Sequence, residues 1–264
     1  NEDPNLYREY RMEIFKETQS ISSFKPTEIF KPKVEEIKQT NESELVPIST
    51  LKDTHPVIQY VDKRRIPTEH WSKIFLVKDF NQFASKFDSV FEKLKHRHPR
   101  LVFPFYDKDG SIICYNCRAF GNEQPKYVKL TVDPNKEKIY GLWRVDESKP
   151  IFVTEGQIDS LFVDNCVAAG SADYSAKWFS DRKDGVIIVP DSDYKRNPQV
   201  YKLLENAIDS GFKISLMPES IPWKDINDCV MKGNMTIDKI NSLLRNNVTS
   251  GLKAKMELIS RKKF

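Results

Sequence analysis

Two groups of carboxylates in this chain have the spacing that a metal-assisted phosphoryl-transfer site would need. Glu155, with Gly156 beside it and Asp159 after it, follows the apolar run Ile151-Phe152-Val153. Asp191-Ser192-Asp193 follows Val186-Ile187-Ile188-Val189 and Pro190. Both runs have the length and β-branched content of buried parallel strands. Each group therefore stands at the carboxyl end of a strand, where the ligand crevice of an open parallel sheet lies. Glu155, Asp159, Asp191 and Asp193 would repel one another there unless a cation sat among them. With oxygen donors and no His or Cys at hand, magnesium or manganese fits better than zinc. The chemistry this implies is phosphoryl or nucleotidyl transfer. Any one of these acids alone reads better as a helix cap or a loop acid. Two groups at equivalent strand ends favour the metal site.

The elements that must position them follow from periodicity. Cys166-Val167-Ala168 and Lys213-Ile214-Ser215-Leu216 add two more short apolar runs, and a helix from Pro198 to Ser210 ends on Gly211. Strand and helix thus alternate over 150 to 217, which predicts an α/β fold, a parallel sheet with helices on both faces. Upstream, Leu101 to Tyr106, the turn Asp107-Lys108-Asp109-Gly110, and Ser111 to Phe120 read as a hairpin. Pro125 to Leu130 adds a strand, and short helices open at His55 and Pro67. Trp143 and Trp178 sit in apolar surroundings and read as core. The expected organisation is a helix (5–19) and tether over 1–50, a smaller α+β subdomain over 51–148, the parallel-sheet domain over 149–235, and a C-terminal helical segment over 236–264. A last helix pair is expected over 236–247, with the basic end from Lys253 to Phe264 helical or frayed.

Bulk properties exclude some classes. The 264 residues carry 42 basic and 38 acidic side chains, a net charge of +4 that a solvated surface can hold without nucleic acid. No run of about 18 apolar residues exists to span a membrane. The opening Asn1-Glu2-Asp3-Pro4 lacks an initiator Met and a signal-peptide pattern, as expected of a piece of a longer protein. Of four cysteines only Cys114 and Cys117 are close. They lie three apart on a predicted strand, so their thiols point to opposite faces and no zinc site is expected. Reduced cysteines and a cytoplasmic location follow.

The order Ile151-Phe152-Val153-Thr154-Glu155-Gly156-Gln157-Ile158-Asp159, then Asp191-Ser192-Asp193, resembles the Toprim family of primases, topoisomerases and some nucleases. Flanking segments narrow the resemblance. Leu101 to Phe120 is similar to the primase stretch that ends in Arg118, Pro125-Lys126-Tyr127 to its "PKY", and Lys138 to Leu142 to its "LYGL". Lys224-Asp225-Ile226-Asn227-Asp228 is similar to its "KDxND". The likeness runs from about His55 to Gly233 and is nearest to primases of T-even-type tailed phages. Two departures stand out. Tyr194-Lys195-Arg196 follows Asp193 where bacterial relatives carry glycine, and Gln157 replaces an apolar residue or proline.

The resemblance implies a Toprim-type sheet preceded by the α+β primase subdomain, and the RNA-polymerising core of a DNA primase. It implies catalysis by Glu155, Asp159, Asp191 and Asp193, with Mg2+ or Mn2+ on Glu155, Asp191, Asp193, Asp225 and Asp228. Arg100, Arg118, Lys126, Tyr127, Lys129 and Lys224 would face nucleic acid or nucleotide. Single-stranded DNA template, ribonucleoside triphosphates and a replicative helicase are the implied partners, in the host cytoplasm if the chain is phage-encoded. A metal-dependent Toprim nuclease and a non-catalytic fragment that binds DNA or helicase are the alternatives. A topoisomerase would need a further tyrosine-bearing domain for which this length leaves no room.

Overall fold

The computed structural model describes residues 44–94 and 97–264. The helix expected over 5–19 and most of the tether lie outside them. Two five-stranded sheets share one compact unit, Glu42–Phe264. The first is antiparallel, in the order β1 (Leu45–Pro47), β2 (Phe75–Val77), β3 (Arg100–Tyr106), β4 (Ile112–Arg118), β5 (Tyr127–Thr131). β1 lies inside the range expected to be tether. Its three residues are too few to show alternation, and its partner strand β2 is distant in sequence. The hairpin turn forms as its residues demand. Gly110 takes φ +84°, and its N–H donates to the Asp107 carbonyl at 3.1 Å.

This sheet separates two cores. Helices α1 (Pro56–Lys63) and α2 (Phe80–Ala84) belong to opposite cores. Cys117 joins Phe80, Phe83, Val102 and Tyr115 in the smaller one. Cys114 joins Phe103, Phe105 and Tyr140 in the larger, which continues into the second sheet. The two thiols do part to opposite faces, as their odd spacing on a strand requires.

The second sheet comprises β6 (Ile151–Thr154), β7 (Cys166–Ala168), β8 (Val186–Val189), β9 (Lys213–Ser215) and β10 (Val248–Thr249), in the order β10-β9-β8-β6-β7. All pairs are parallel except β9 with β10. The chain leaves β6 for β7 on one side and leaves β8 for β9 on the other. The connections therefore diverge between β6 and β8, and a crevice opens at the carboxyl ends of those two strands.

Between β6 and β7 the chain makes only a single 3-10 turn, Asp159–Phe162, where a longer helix was expected. A four-residue α3 (Lys177–Ser180) precedes β8. The main covering helix α4 (Pro198–Asp209) is capped by Asn197, whose Oδ1 accepts from Gln199 N at 3.0 Å, and the chain leaves it through Gly211 at φ +96°. Next come α5 (Ile226–Met231), α6 (Ile237–Asn246) and α7 (Gly251–Ser260). The expected helix pair over 236–247 is thus one helix, and the basic end is helical to Ser260. Trp143 and Trp178 pack against the main core as expected.

All four cysteines are buried. Burial pushes the thiols up, to about 11 at Cys114 and about 12 at Cys166 and Cys229, and raises Cys117 as well. Since the thiolate is the reactive form, a maleimide at neutral pH should label none of them in the native chain and all of them after denaturation. Rapid labelling without denaturant would show that this packing is wrong.

Candidate active site

Glu155 and Asp191 meet across the crevice from the ends of β6 and β8. The Asp191 N–H donates to Glu155 Oε1 at 3.2 Å. Asp159 comes in beneath them, because Gly156 carries no side chain. A Cβ at Gly156 would stand 2.6 Å from Asp159 Oδ2. Asp159 is 9% exposed, and its Oδ1 accepts the N–H of Asn227 at 2.9 Å. Asp225 caps α5, accepting the N–H of Asp228 at 2.7 Å. The loop holding it is stitched to the loop after β8 by Ser192 N–H to Lys224 O at 2.8 Å. Three chain segments therefore deliver carboxylates to one place.

The grouping differs from the expected one. Asp193 and Asp228 were expected among the metal ligands, and Asp159 only among the catalytic acids. Asp193 is the exposed residue of the 3-10 turn Ser192–Lys195 and pairs with Lys224 at 3.0 Å. Asp159 takes the central place. Asp228 pairs instead with Lys232, one turn further along α5, at 2.7 Å.

Burial and mutual repulsion hold the carboxyls above their ordinary range. For Asp191, burial acts first, then the charges of Asp159, Glu155 and Asp225, against which Lys224 pulls down. Burial and then Asp225 raise Asp159. Glu155 is raised by burial and by Asp193. Among the described residues no three acidic, His or Cys side chains converge closely enough to grip an ion as they stand. Magnesium asks for fewer, since it keeps several waters and takes one or two carboxylates. The donors are all oxygen, and the buried repulsion is of the kind a dication relieves, so the residues fit such an ion.

A basic wall faces these acids. Arg118 is 3% exposed and its Nε donates to the Tyr60 hydroxyl at 2.5 Å. Its guanidinium also stacks 4.7 Å from the ring centroid of the half-exposed Tyr127. Arg64 donates to the same Tyr60 hydroxyl at 2.7 Å and to Asn227 Oδ1 at 2.6 Å. Asn227 thus links the wall to Asp159. Exposed Lys126 joins them. Partial desolvation, and then the charges of Arg118, Arg64 and Lys224, pull its ammonium below the ordinary range.

One expected groove residue lies elsewhere, and another borders the loop that runs past Glu155. Arg100 is fully buried, donating to the carbonyl of Pro125 at 2.8 Å and stacking 4.7 Å over Phe80. Strand position alone could not tell its inward side from the groove side. Lys129 reaches from β5 to within 3.2 Å of where a Cβ on Gly170 would stand, beside the loop after β7. Sequence reading missed Tyr60 and Arg64. Arg64 and Asn227 are 163 residues apart, and nothing local to α1 marks its end as part of a site.

No family model matches the chain. The DNA primase of Enterobacteria phage T4 is 33% identical over 262 residues, which cover 97% of this chain and 75% of that protein. The chain belongs to the DNA primase family. Among solved structures, the RNA polymerase domain of the Mycobacterium tuberculosis primase DnaG matches with TM-score 0.58 at 14% identity, over 81% of each chain. A DnaG primase catalytic domain bound to single-stranded DNA matches with TM-score 0.54 at 17% identity, over 84% of this chain and 87% of that one. At these identities the two structures speak for the fold. The primase is thus an enzyme with the fold of primase catalytic cores, which sets aside the nuclease and non-catalytic readings. Among its described residues no helix is long and apolar enough to cross a membrane.

Because Asp159 and Asp191 titrate above their unfolded values, ionising them costs folding free energy. Stability is full below the ordinary carboxylate range and falls as pH rises through the raised values. In EDTA at about pH 8, Asp191→Asn should therefore melt above the wild-type primase and lose less stability as pH rises. Added Mg2+ should raise the Tm of the wild type alone. A lower Tm for the metal-free variant would show that Asp191 is not under repulsion.

Proposed function

We propose that this primase builds short RNA primers from ribonucleoside triphosphates on single-stranded DNA, by nucleotidyl transfer at the crevice between β6 and β8. One observation carries this reading: buried carboxylates at the switch point face a pre-formed wall of arginine and lysine. Glu155, Asp191 and Asp159 would hold magnesium or manganese, with Asp225 alongside. Bound there, such an ion supplies charge neutralisation for the attacking 3′ oxygen and the departing pyrophosphate.

The chain's own residues do the rest. Tyr60 holds Arg64 and Arg118 by one hydroxyl, so both guanidinium groups are oriented before any phosphate arrives. Lys126 and Tyr127 extend that wall to solvent, where a template or triphosphate would enter. Lys224 sits at the rim on Asp193, an ion pair of two half-exposed partners that a phosphate can exchange into at little cost. The solved DnaG catalytic domain bound to single-stranded DNA supports the template assignment. A replicative helicase as partner rests on family membership alone.

Asp191→Asn keeps size and removes a charge. Primer synthesis from ribonucleotides should fall by about a hundredfold or more while the protein stays folded, and wild-type activity would remove Asp191 from the site. Lys126→Ala should lower the slope of log affinity against log salt by about one for short single-stranded DNA, measured by anisotropy, with sequence preference intact. An unchanged slope would move the nucleic-acid path off this wall.

A further inference from the structure

The loop between β7 and α3 is laid along the end of β6. Ala169 N–H donates to Thr154 O and Gly170 N–H to Glu155 O, both at 2.9 Å. The turn that follows is set by side chains, with Ser171 Oγ accepting from Asp173 N at 3.3 Å and Asp173 Oδ1 from Ser175 N at 2.9 Å. Between these last two residues the chain turns Tyr174 inward. Tyr174 is 5% exposed, and its ring packs edge-on against Phe179 with centroids 6.3 Å apart. Its hydroxyl is buried without a hydrogen-bond partner among the described residues.

A buried donor left unmatched is destabilising, and such groups are rare in native proteins. The charges that this hydroxyl feels are those of Glu155 first and Asp191 second. A phenol is protonated at neutral pH, and an unmatched one gains by donating to a nearby oxygen. Glu155 now accepts one hydrogen bond through Oε1, from the Asp191 amide. An ionised carboxylate has room for more. The motif residues Glu155 and Asp191 do not by themselves require a tyrosine, and the nucleotidyl-transfer scheme above leaves Tyr174 unused.

We propose that Tyr174 is a positioning residue, whose buried hydroxyl donates to the Glu155 carboxylate when a divalent cation occupies the crevice and so fixes Glu155 in its metal-holding orientation. This rests on the reading that Glu155 and Asp191 hold that cation. The hydroxyl is unmatched in the metal-free chain and matched in the loaded one, so its contribution belongs to the loaded state. A hydroxyl satisfied instead by an internal water would contribute to the metal-free fold and leave cation affinity alone.

The two cases separate on the purified chain. Mn2+ affinity is measured by titration with EPR detection of the free ion, and the Tm in EDTA by calorimetry, for the wild type, Tyr174→Phe and Asp191→Asn. Tyr174→Phe should bind Mn2+ about tenfold more weakly while its metal-free Tm stays at or above that of the wild type. Unchanged Mn2+ affinity, or weaker binding accompanied by a lower metal-free Tm, overturns the proposal. If Asp191→Asn loses Mn2+ binding while Tyr174→Phe keeps it, only the Tyr174 inference fails. If Asp191→Asn binds Mn2+ like the wild type, or the wild type binds none, the cation reading fails and takes this inference with it.

Discussion

Concentrating carboxylates in a poorly solvated crevice is the constraint around which the rest of the primase is arranged. Asp191 and Asp159 are held close by the sheet and the 3-10 turn after it, and each makes the other harder to ionise. A fold keeps such an arrangement only where something outweighs the repulsion. Here two devices share that load within the chain: backbone N–H groups aimed at the acids, and a basic wall opposite them. The backbone N–H of Asp191 on Glu155 and that of Asn227 on Asp159 are donors that only a proline substitution would remove.

The antiparallel sheet serves the parallel one. The end of its β4 strand meets the crevice, with the Arg118 side chain donating to Tyr60 and Asn116 Nδ2 donating to Gln157 Oε1 at 3.2 Å. Arg64, Arg118 and Lys126 come from that half, while Glu155, Asp159, Asp191 and Asp225 come from the other. The parallel half adds a single lysine, Lys224 at the rim, to its acids. The continuous larger core, which runs from Ile48 to Leu258, makes the two halves one body and holds the wall at a fixed separation from the acids. A rigid spacing matters for transfer between bound groups, because small misplacements of reacting atoms cost rate steeply.

Their partners sort the charged residues by task. Arg100 and Arg118 share the sequence character of strand arginines, yet one locks a turn from inside and the other sits at the crevice. Asp193 and Asp228 share the acidic character of Asp191 and Asp225, yet each is paired with a lysine near the surface. Those exposed pairs are weak and exchangeable, which suits a rim and not a metal grip.

The residues alone determined the parallel strands, the hairpin, the opposed faces of Cys114 and Cys117, and the placing of Glu155 and Asp191 at neighbouring strand ends. These are local matters: apolar runs, turn chemistry, period-two alternation, and the rule that strand ends line a crevice. Tertiary structure decided which acids are central. The angle at which a 3-10 turn and a helix cap approach the crevice puts Asp159 and Asp225 near Asp191 and leaves Asp193 at the rim. It also put Tyr60 and Arg64 beside Asn227, whose backbone N–H donates to Asp159. Tyr60 and Arg64 lie far from those carboxylates in sequence, and only packing in the folded chain brings them to Asn227 and so to Asp159.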